Sequence, residues 1–175
     1  MENGRKVPGG VYTIISGTDR VNSHSRIVAE IYKEVLCSKG IHPLFFSMEN
    51  FNPLKDEEAF RKAQDELLVP ATKFVFVIPE YNGSYPGVLK AMIDRTDPRA
   101  VWYYKKALLT GVSTGRAGNL RGMDHLADTL NFMRMTVHYN KLPISKVDHL
   151  LDADGHLDKI TMSVIDRQVE EFISF

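Results

Sequence analysis

A polar loop directly follows the most apolar predicted strand of the sequence. The run Phe74–Ile78 is continuous in aromatic and β-branched residues, the pattern of a strand buried on both faces of a parallel sheet. Pro79 ends its hydrogen-bond ladder, because proline has no N–H to donate. The next five residues, Glu80–Ser84 (the second loop), offer a carboxylate, a phenol, an amide, a glycine and a hydroxyl. This mixture suits a planar heterocycle rich in donors and acceptors, although many loops of α/β proteins bind nothing.

Another polar stretch, Ser16–Ser25 (the first loop), follows the first predicted strand and leads into a helix. The free N–H groups and the dipole of a helix amino terminus favour an anion. Hydroxyls add neutral donors there and Arg20 adds a charged one, so a phosphate monoester fits. The alternative is that Asn22 and Ser23 only cap the helix and that Arg20 is solvated. The candidate ligands are Ser16, Thr18, Arg20, Asn22, Ser23 and Ser25.

The third stretch, Ser113–Asn119 (the third loop), follows the fourth predicted strand and contains two glycines. These glycines either only shape a strand-to-helix turn or bring backbone amides to the polar edge of a ring system. Ser113, Thr114 and Gly115 are the candidate contacts.

Five predicted strands alternate with five predicted helices. The strands are Val11–Ile15, Ile41–Phe46, Phe74–Ile78, Ala107–Ser113 and Met135–Tyr139. The helices cover residues 21–40, 52–70, 86–95, 120–130 and 160–173. This alternation predicts an α/β fold, a three-layer sandwich with a five-stranded parallel sheet and helices on both faces. With the flavodoxin-like strand order 2-1-3-4-5, strands one, three and four are neighbours and the three loops meet at one edge.

The composition is that of an ordinary globular protein. Its 175 residues suit one domain, expected to span residues 1–175. Lysine plus arginine (22) balances aspartate plus glutamate (22), so no net charge points to nucleic acid or to an anionic membrane. No apolar run approaches the roughly 18 residues of a membrane span. The first ten residues also lack the apolar segment of a signal peptide. We expect a cytoplasmic protein.

No metal site is expected. The single cysteine, Cys37, cannot form an internal disulfide, and the six histidines show no ligand spacing. Asp152–Gly155 faintly resembles a calcium loop, but Leu150 and Thr161 stand where its first and last oxygen ligands belong. This segment is interpreted as a turn and a helix cap.

Together, the three loops resemble those of the NADPH-dependent FMN reductase family. From Pro79 to Lys90 the sequence PEYNGSYPGVLK is similar, almost letter for letter, to the family motif P-E-Y-N-x-S-x-P-G-x-L-K. Gly17–Ser23 resembles the family's G-S-x-R-x-x-S phosphate loop, with Thr18 in place of the usual serine. Ser113–Gly115 with Gly118 is similar to its glycine-bearing third loop. The likeness extends over nearly the whole chain in order and spacing.

The resemblance implies a flavodoxin-like fold with non-covalently bound FMN. Thr18, Arg20 and Ser23 would hold the FMN phosphate. Pro79–Gly83 would line the isoalloxazine and Ser113–Gly115 its pyrimidine edge. The cofactor-binding candidates from the loops and the resemblance together are Ser16, Thr18, Arg20, Asn22, Ser23, Ser25, Pro79, Glu80, Tyr81, Asn82, Gly83, Ser113, Thr114 and Gly115.

The implied activity is hydride transfer from NADPH or NADH to FMN and then to free flavin, a quinone, an azo compound or a metal oxyanion. The cofactor carries this chemistry, so no catalytic side chain is assigned. The alternative is a flavodoxin-type electron carrier, but such carriers are usually strongly acidic and this chain has a net charge of zero. A receiver-type signalling domain is excluded, because Ser16-Gly17 and Pro79 occupy the positions of its acidic residues.

The helix after the second loop leads to a hypothesis about assembly. Leu89, Met92 and Ile93, next to Trp102–Tyr104, are more apolar than one sheet face needs, and exposed patches of this kind usually mark partner surfaces. We predict a symmetric homodimer, or a homotetramer, that uses this helix. The alternative is that these residues only cover the sheet. The resemblance places Arg95-Thr96 near the same interface and the substrate mouth, where many members have an aromatic residue.

Overall fold

The computed structural model describes residues 10–175, in which strands and helices alternate as predicted. The amino-terminal residues used for the signal-peptide expectation lie outside this range, except Gly10. The strands are β1 (Tyr12–Ser16), β2 (Leu44–Ser47), β3 (Lys73–Pro79), β4 (Lys106–Val112), β5 (Thr136–Val137) and β6 (Leu142–Ile144). The helices are α1 (His24–Ser38), α2 (Glu57–Ala63), α3 (Gly87–Arg95), α4 (Pro98–Val101), α5 (Leu120–Phe132), α6 (Val147–Leu150) and α7 (Lys159–Ser174).

The sheet confirms the predicted strand order. Its strands lie in the order β2-β1-β3-β4-β5, and every pair of neighbours is parallel. β3 is the central strand, paired with β1 from Lys73 to Val77 and with β4 from Lys73 to Pro79. Its apolar run is buried on both sides, as expected for a strand covered by helices. The carboxyl ends of β1, β3 and β4 therefore meet at one edge.

Two layers of apolar side chains, one on each face of the sheet, pack against the helices. Alternate side chains of β3 point to opposite faces, so Phe74 and Phe76 belong to one layer while Val75 and Val77 belong to the other. The first layer packs beneath α2, α3 and α5, and the second beneath α1 and α7. This arrangement is the predicted three-layer sandwich.

The fifth strand is shorter than predicted and is divided. Only Thr136–Val137 of the predicted Met135–Tyr139 forms a strand, and it pairs with the start of β4. β6, which was not predicted, pairs with the end of β4 through Leu142–Ile144. His138 to Lys141 separate the two short strands. Both pair with β4 at the edge of the sheet, one with its start and the other with its end.

Helix α2 begins later than predicted. Asp56, not Asn52, is its N-cap, since the Asp56 side chain accepts the N–H of Ala59. Asn52 instead accepts the N–H of Leu54 two residues on, a local turn that competes with helix formation. α2 then continues into a π-helical turn, Gln64–Leu68.

The apolar stripe of α7 is narrower than predicted. Ile165, Val169 and Phe172 are buried, but Ile160 and Val164 are exposed. Within residues 10–175, no helix combines the length and the apolarity needed to cross a membrane.

The apolar residues of α3 are not a free patch, and that part of the assembly argument was wrong. Leu89, Met92 and Ile93 are buried in the layer that covers the sheet, together with Trp102. The Trp102 indole donates to Thr96 Oγ1 at 2.6 Å, so Thr96 is part of the core. The neighbouring Arg95 binds Glu57 and the carbonyl of Pro53, which ties α3 to α2.

Candidate functional site

Three loops enclose one cleft at the carboxyl edge of the sheet, where ligands bind in open α/β folds. Its volume is about 580 Å³, within the range of small-molecule sites. Twelve of the fourteen candidate residues line it, and Ser16 and Thr18 lie outside the lining. The lining residues are Arg20, Val21, Asn22, Ser23, His24, Ser25, Pro79, Glu80, Tyr81, Asn82, Gly83, Val112, Ser113, Thr114, Gly115 and Val147.

Tyr81 joins the first loop to the second. Its phenol lies 2.5 Å from Thr18 Oγ1, and Thr18 also accepts the N–H of Arg20. The Arg20 guanidinium carbon lies 4.2 Å from the centroid of the Tyr81 ring, a cation–π arrangement. Thr18 is buried, so it acts behind the cleft wall, and Arg20 is exposed at the surface of the wall.

The amino terminus of α1 opens on the same end of the cleft. Ser23 is the N-cap, and its hydroxyl accepts the N–H of Arg26 and lies 3.1 Å from the hydroxyl of Ser25. Among the described residues, the first helical amides, those of His24 and Ser25, have no acceptor. Unpaired helical N–H groups beside hydroxyls and a guanidinium favour an anion. Ser23, and not Asn22, therefore caps the helix, and the amides of His24 and Ser25 are available to an anion.

The second loop is a tight hairpin turn. Tyr81 and Ser84 exchange two backbone hydrogen bonds, at 2.8 and 3.0 Å. The two residues between them, Asn82 (φ 52°) and Gly83 (φ 75°), have the left-handed conformation that such a turn requires. The N–H of Glu80 donates to the carbonyl of Val112, which fixes the loop to the end of β4. The turn therefore presents backbone, with no side chain at Gly83, to the cleft.

The third loop is held from behind by the segment that follows the divided edge strand. The N–H of Ser113 donates to Ile144, and Gly115 and Ser113 accept from Lys146 and Val147. The Ser113 hydroxyl donates to the Gly115 carbonyl at 3.1 Å. These contacts bring the buried Val147 into the lining of the cleft.

Four lining residues were not among the candidates. Val21 and His24 lie inside the first loop, and their types carried no signal for phosphate binding. Val112 ends β4, and its position was recognisable as the residue before the third loop. Val147 has no signal in the sequence, because its place depends on β6 and α6, which were not predicted.

Arginines surround the mouth of the cleft. Arg20 lines it, Arg116 directly follows Gly115, and Arg121 Nη1 lies 3.2 Å from the position that a Cβ on Gly83 would occupy. All three are exposed, and none has a carboxylate partner among residues 10–175. Glu80 is the only carboxylate of the lining. Arg20 and Arg121 are therefore positive charges without a carboxylate partner, among the described residues, beside the cleft, whose lining also contains Glu80.

A larger groove, of about 1010 Å³, lies beside the cleft and shares Asn22 and His24 with it. It runs along α1 to the turn at Asp152–His156. Asp152 Oδ1 accepts the N–H groups of Asp154 and His156, and these hydrogen bonds lower the pKa of its carboxyl group. This confirms the predicted turn, whereas Asp158, beyond the turn, is the cap of α7. The groove has the larger volume, but Asn22 is the only one of the fourteen candidate residues in its lining, so we place the functional site in the cleft.

Comparison with known proteins supports the family resemblance that the three loops show in the sequence. The profile of the family described as NADPH-dependent FMN reductase matches residues 12–148. An NAD(P)H-dependent FMN reductase of Pseudomonas aeruginosa is 34% identical over 109 residues, which cover 60% of this chain and 59% of that protein. A quinone reductase of Pseudomonas putida is 26% identical over 174 residues, which cover 93% of this chain and 92% of that protein.

Solved structures show the same fold. The flavoenzyme NAD(P)H:(acceptor) oxidoreductase FerB of Paracoccus denitrificans superposes with a TM-score of 0.75 at 20% identity, over 94% of this chain and 96% of its own. The apo form of an NADH:FMN oxidoreductase superposes with a TM-score of 0.76 at 18% identity, over 94% of this chain and 88% of its own.

Proposed function

This chain belongs to the NADPH-dependent FMN reductase family and is an FMN-dependent NAD(P)H oxidoreductase, and from that premise we propose how its cleft holds and uses the cofactor. The observation that carries the proposal is the convergence of three loops of different chemistry on one cleft. One end offers hydroxyls, helical amides and a guanidinium. The other offers exposed backbone and neutral polar groups.

The cleft fits FMN at both ends. At the phosphate end, Arg20, Ser23 and Ser25 would provide charge and hydroxyl donors, whereas Ser16 is buried outside the lining. At the ring end, the Asn82-Gly83 turn places backbone in the lining, against which a flat group would pack. Ser113–Gly115 would meet the polar edge of the ring.

FMN supplies the redox chemistry when it is bound, taking a hydride from NAD(P)H and passing two electrons on to an acceptor. The protein's part is to bind and orient. Tyr81 connects the phosphate end to the ring end, because its phenol contacts Thr18 while its backbone belongs to the hairpin. The arginines at the mouth would attract the anionic nicotinamide nucleotide.

We propose a small quinone as one acceptor. The support is the similarity over nearly the full chain to a protein named quinone reductase. Free flavin, azo compounds and metal oxyanions are the other candidates, and steady-state assays with one member of each class rank them. A quinone turned over no faster than in the absence of protein would remove it from the set.

The deciding experiment is the visible spectrum of the purified protein during anaerobic addition of NADPH and then NADH. We expect the absorbance of bound oxidised FMN, bleached by one nicotinamide nucleotide or by both. FMN that binds but stays oxidised with both would favour the electron carrier.

We also propose a single domain, supported by the single sheet, and a cytoplasmic location, supported by the composition.

We also propose a homodimer or a homotetramer. With the α3 residues buried, the support comes from the family and from exposed aromatic residues beyond α3, chiefly Phe132, which is 89% exposed, and Tyr104, which is 76% exposed. Light scattering at micromolar concentration should give at least twice the chain mass. A stable monomer would overturn this proposal.

A further inference from the structure

Asn119 is a buried polar residue at the end of the third loop that contacts the end of β3, directly before the second loop. It is fully buried and directly precedes α5, with left-handed backbone at φ 64°. Its Nδ2 donates to the carbonyl of Ile78 at 3.1 Å and to that of Pro79 at 2.9 Å. These are the last two residues of β3, and the second loop begins at the next residue, Glu80.

The chemistry of the two carbonyls fixes the orientation of the Asn119 side chain. Both groups only accept hydrogen bonds, so the amide nitrogen must face them. Asn119 Oδ1 is then directed away, and it has no hydrogen-bond partner among the described residues. The two donated hydrogen bonds join the start of α5 to the end of β3.

Glycines leave just enough space for this arrangement. A Cβ on Gly122 would lie 2.0 Å from Asn119 Oδ1 and 2.8 Å from the carbonyl carbon of Ser84. A Cβ on Gly111 would lie 2.2 Å from the Gly118 carbonyl oxygen and 3.0 Å from the Cβ of Asn119. The first turn of α5, the third loop and the second loop are therefore packed against one another around a single amide.

We propose that Asn119 is a positioning residue for the flavin ring, which it does not line. By holding the end of β3, it fixes the direction in which the Asn82-Gly83 turn leaves the sheet. This inference rests on the proposed function. Loss of Asn119 should raise the dissociation constants of FMN and of riboflavin by the same factor, because the phosphate end of the cleft keeps its contacts.

The test is Asn119→Gly, since glycine accepts the left-handed backbone while the side-chain amide and its two donated hydrogen bonds are removed. We expect the dissociation constants of FMN and riboflavin, measured by fluorescence quenching, to rise by about 10-fold or more. In the flavin-free protein, the amides of residues 80–84 should exchange hydrogen faster. Asn50→Gly is the matched control, because Asn50 also has a left-handed backbone (φ 59°) and lies outside the cleft.

A second variant acts on the same contact without replacing Asn119. Gly122→Ala places a methyl group against Asn119 Oδ1 and Ser84, so it should weaken both flavins equally as well. Unchanged affinity in Asn119→Gly, a loss confined to FMN, or unchanged exchange of residues 80–84 would overturn the inference. Wild-type protein that binds neither flavin would overturn the proposed function and this inference with it.

Discussion

Arg20 is the residue on which the assignment of a phosphate end depends most. Its guanidinium is held over the Tyr81 ring and has no carboxylate partner among the described residues. We predict that Arg20→Ala weakens FMN binding by about 10- to 150-fold, since a charge-assisted hydrogen bond contributes roughly 1.5–3 kcal/mol. The binding of riboflavin, which lacks the phosphate, should weaken only slightly. Titrations of both ligands by flavin fluorescence measure the difference.

Arg99→Ala is the control for a general effect of lost positive charge. Arg99 is exposed on α4, also has no carboxylate partner among residues 10–175, and is not in the cleft lining. It should bind both flavins as the wild type does. Equal losses of FMN and riboflavin in Arg20→Ala would mean that Arg20 supports the cleft instead of binding phosphate.

Gly83 tests the ring end. Its φ of 75° is unfavourable for a β-branched residue, and it lies beside the cleft. We predict that Gly83→Val abolishes measurable FMN binding while the protein stays folded, because strain of about 1–3 kcal/mol is tolerable for a domain of this size. Flavin content and a thermal melt on one preparation give both results.

Gly40→Val separates strain from local obstruction. Gly40 has nearly the same φ, 76°, and no atom lies within 4 Å of a Cβ placed there. Both variants should therefore melt at similarly lowered temperatures, and only Gly83→Val should lose FMN. Stoichiometric FMN with wild-type affinity in Gly83→Val would show that this turn is not the platform for the ring.

At the residue scale, the sequence predicts loop chemistry well and side-chain direction poorly. The cleft lining was predictable, because hydroxyls, glycines and an arginine cluster in loops that directly follow predicted strands. Whether Thr18 faces the cleft or lies behind its wall depends on the contact with Tyr81, which is 63 residues away in the chain. No local pattern encodes such a contact.

At the scale of elements, a buried polar network attaches α1 and α7 to the sheet. Tyr32 Oη donates to Gln168, and Thr110 Oγ1 on β4 donates to Tyr32 at 2.7 Å. Gln168 Nε2 donates to the carbonyl of Asn140 at 2.7 Å, so the network also reaches the break between β5 and β6. Burial raises the pKa of the Tyr32 phenol, which stays protonated and able to donate.

Tyr32→Phe should therefore lower stability without affecting the cleft. It removes the phenol between Thr110 Oγ1 and Gln168 Oε1 and leaves them only their own longer contact of 3.4 Å, so a buried network loses two hydrogen bonds at a cost of about 1–3 kcal/mol. We expect a lower denaturation midpoint in urea, an unchanged slope and an unchanged FMN dissociation constant. Tyr139→Phe, a change at a tyrosine that is 76% exposed, is the matched control. A midpoint equal to that of the wild type would show that the network contributes nothing.

The elements themselves were predictable where periodicity is strong. The central strand, its flanking helices and the strand order follow from long apolar runs that alternate with amphipathic stretches. The predicted element bounds were wrong where a local structure interrupts the periodic pattern. The turn at Asn52 delays the start of α2, and the segment from His138 to Lys141 divides the fifth strand. The burial of α3 was misjudged because apolar content alone does not say how much of a helix is covered.

Across the whole molecule the charges cancel, but they are unevenly distributed. The sequence has 22 basic and 22 acidic residues, yet Arg20, Arg116 and Arg121 stand at the mouth of the cleft without carboxylate partners among the described residues. Clefts rimmed by one sign of charge raise the association rate of oppositely charged ligands. Arginines beside the cleft that lack carboxylate partners within residues 10–175 would therefore favour the approach of an anionic dinucleotide, although the net charge of the protein is zero.

Ionic strength tests this distribution. We predict that the second-order rate of FMN bleaching by NADPH falls as salt rises from about 10 mM to about 1 M, where the Debye length shrinks from roughly 30 Å to 3 Å. NADPH should show a steeper dependence than NADH, because its additional phosphate carries more negative charge. Anaerobic stopped-flow mixing at a series of salt concentrations measures both slopes.

Arg121→Gln should flatten the NADPH slope and slow bleaching about 2- to 10-fold at low salt, with a much smaller change at high salt. Its side chain lies over the Gly83 turn, so it acts at the mouth without lining the cleft. Arg99→Gln removes the same charge from α4 and should keep the wild-type slope. If both variants keep that slope, Arg121 does not guide the nucleotide to the cleft, and a single unit of net charge does not set the encounter rate either.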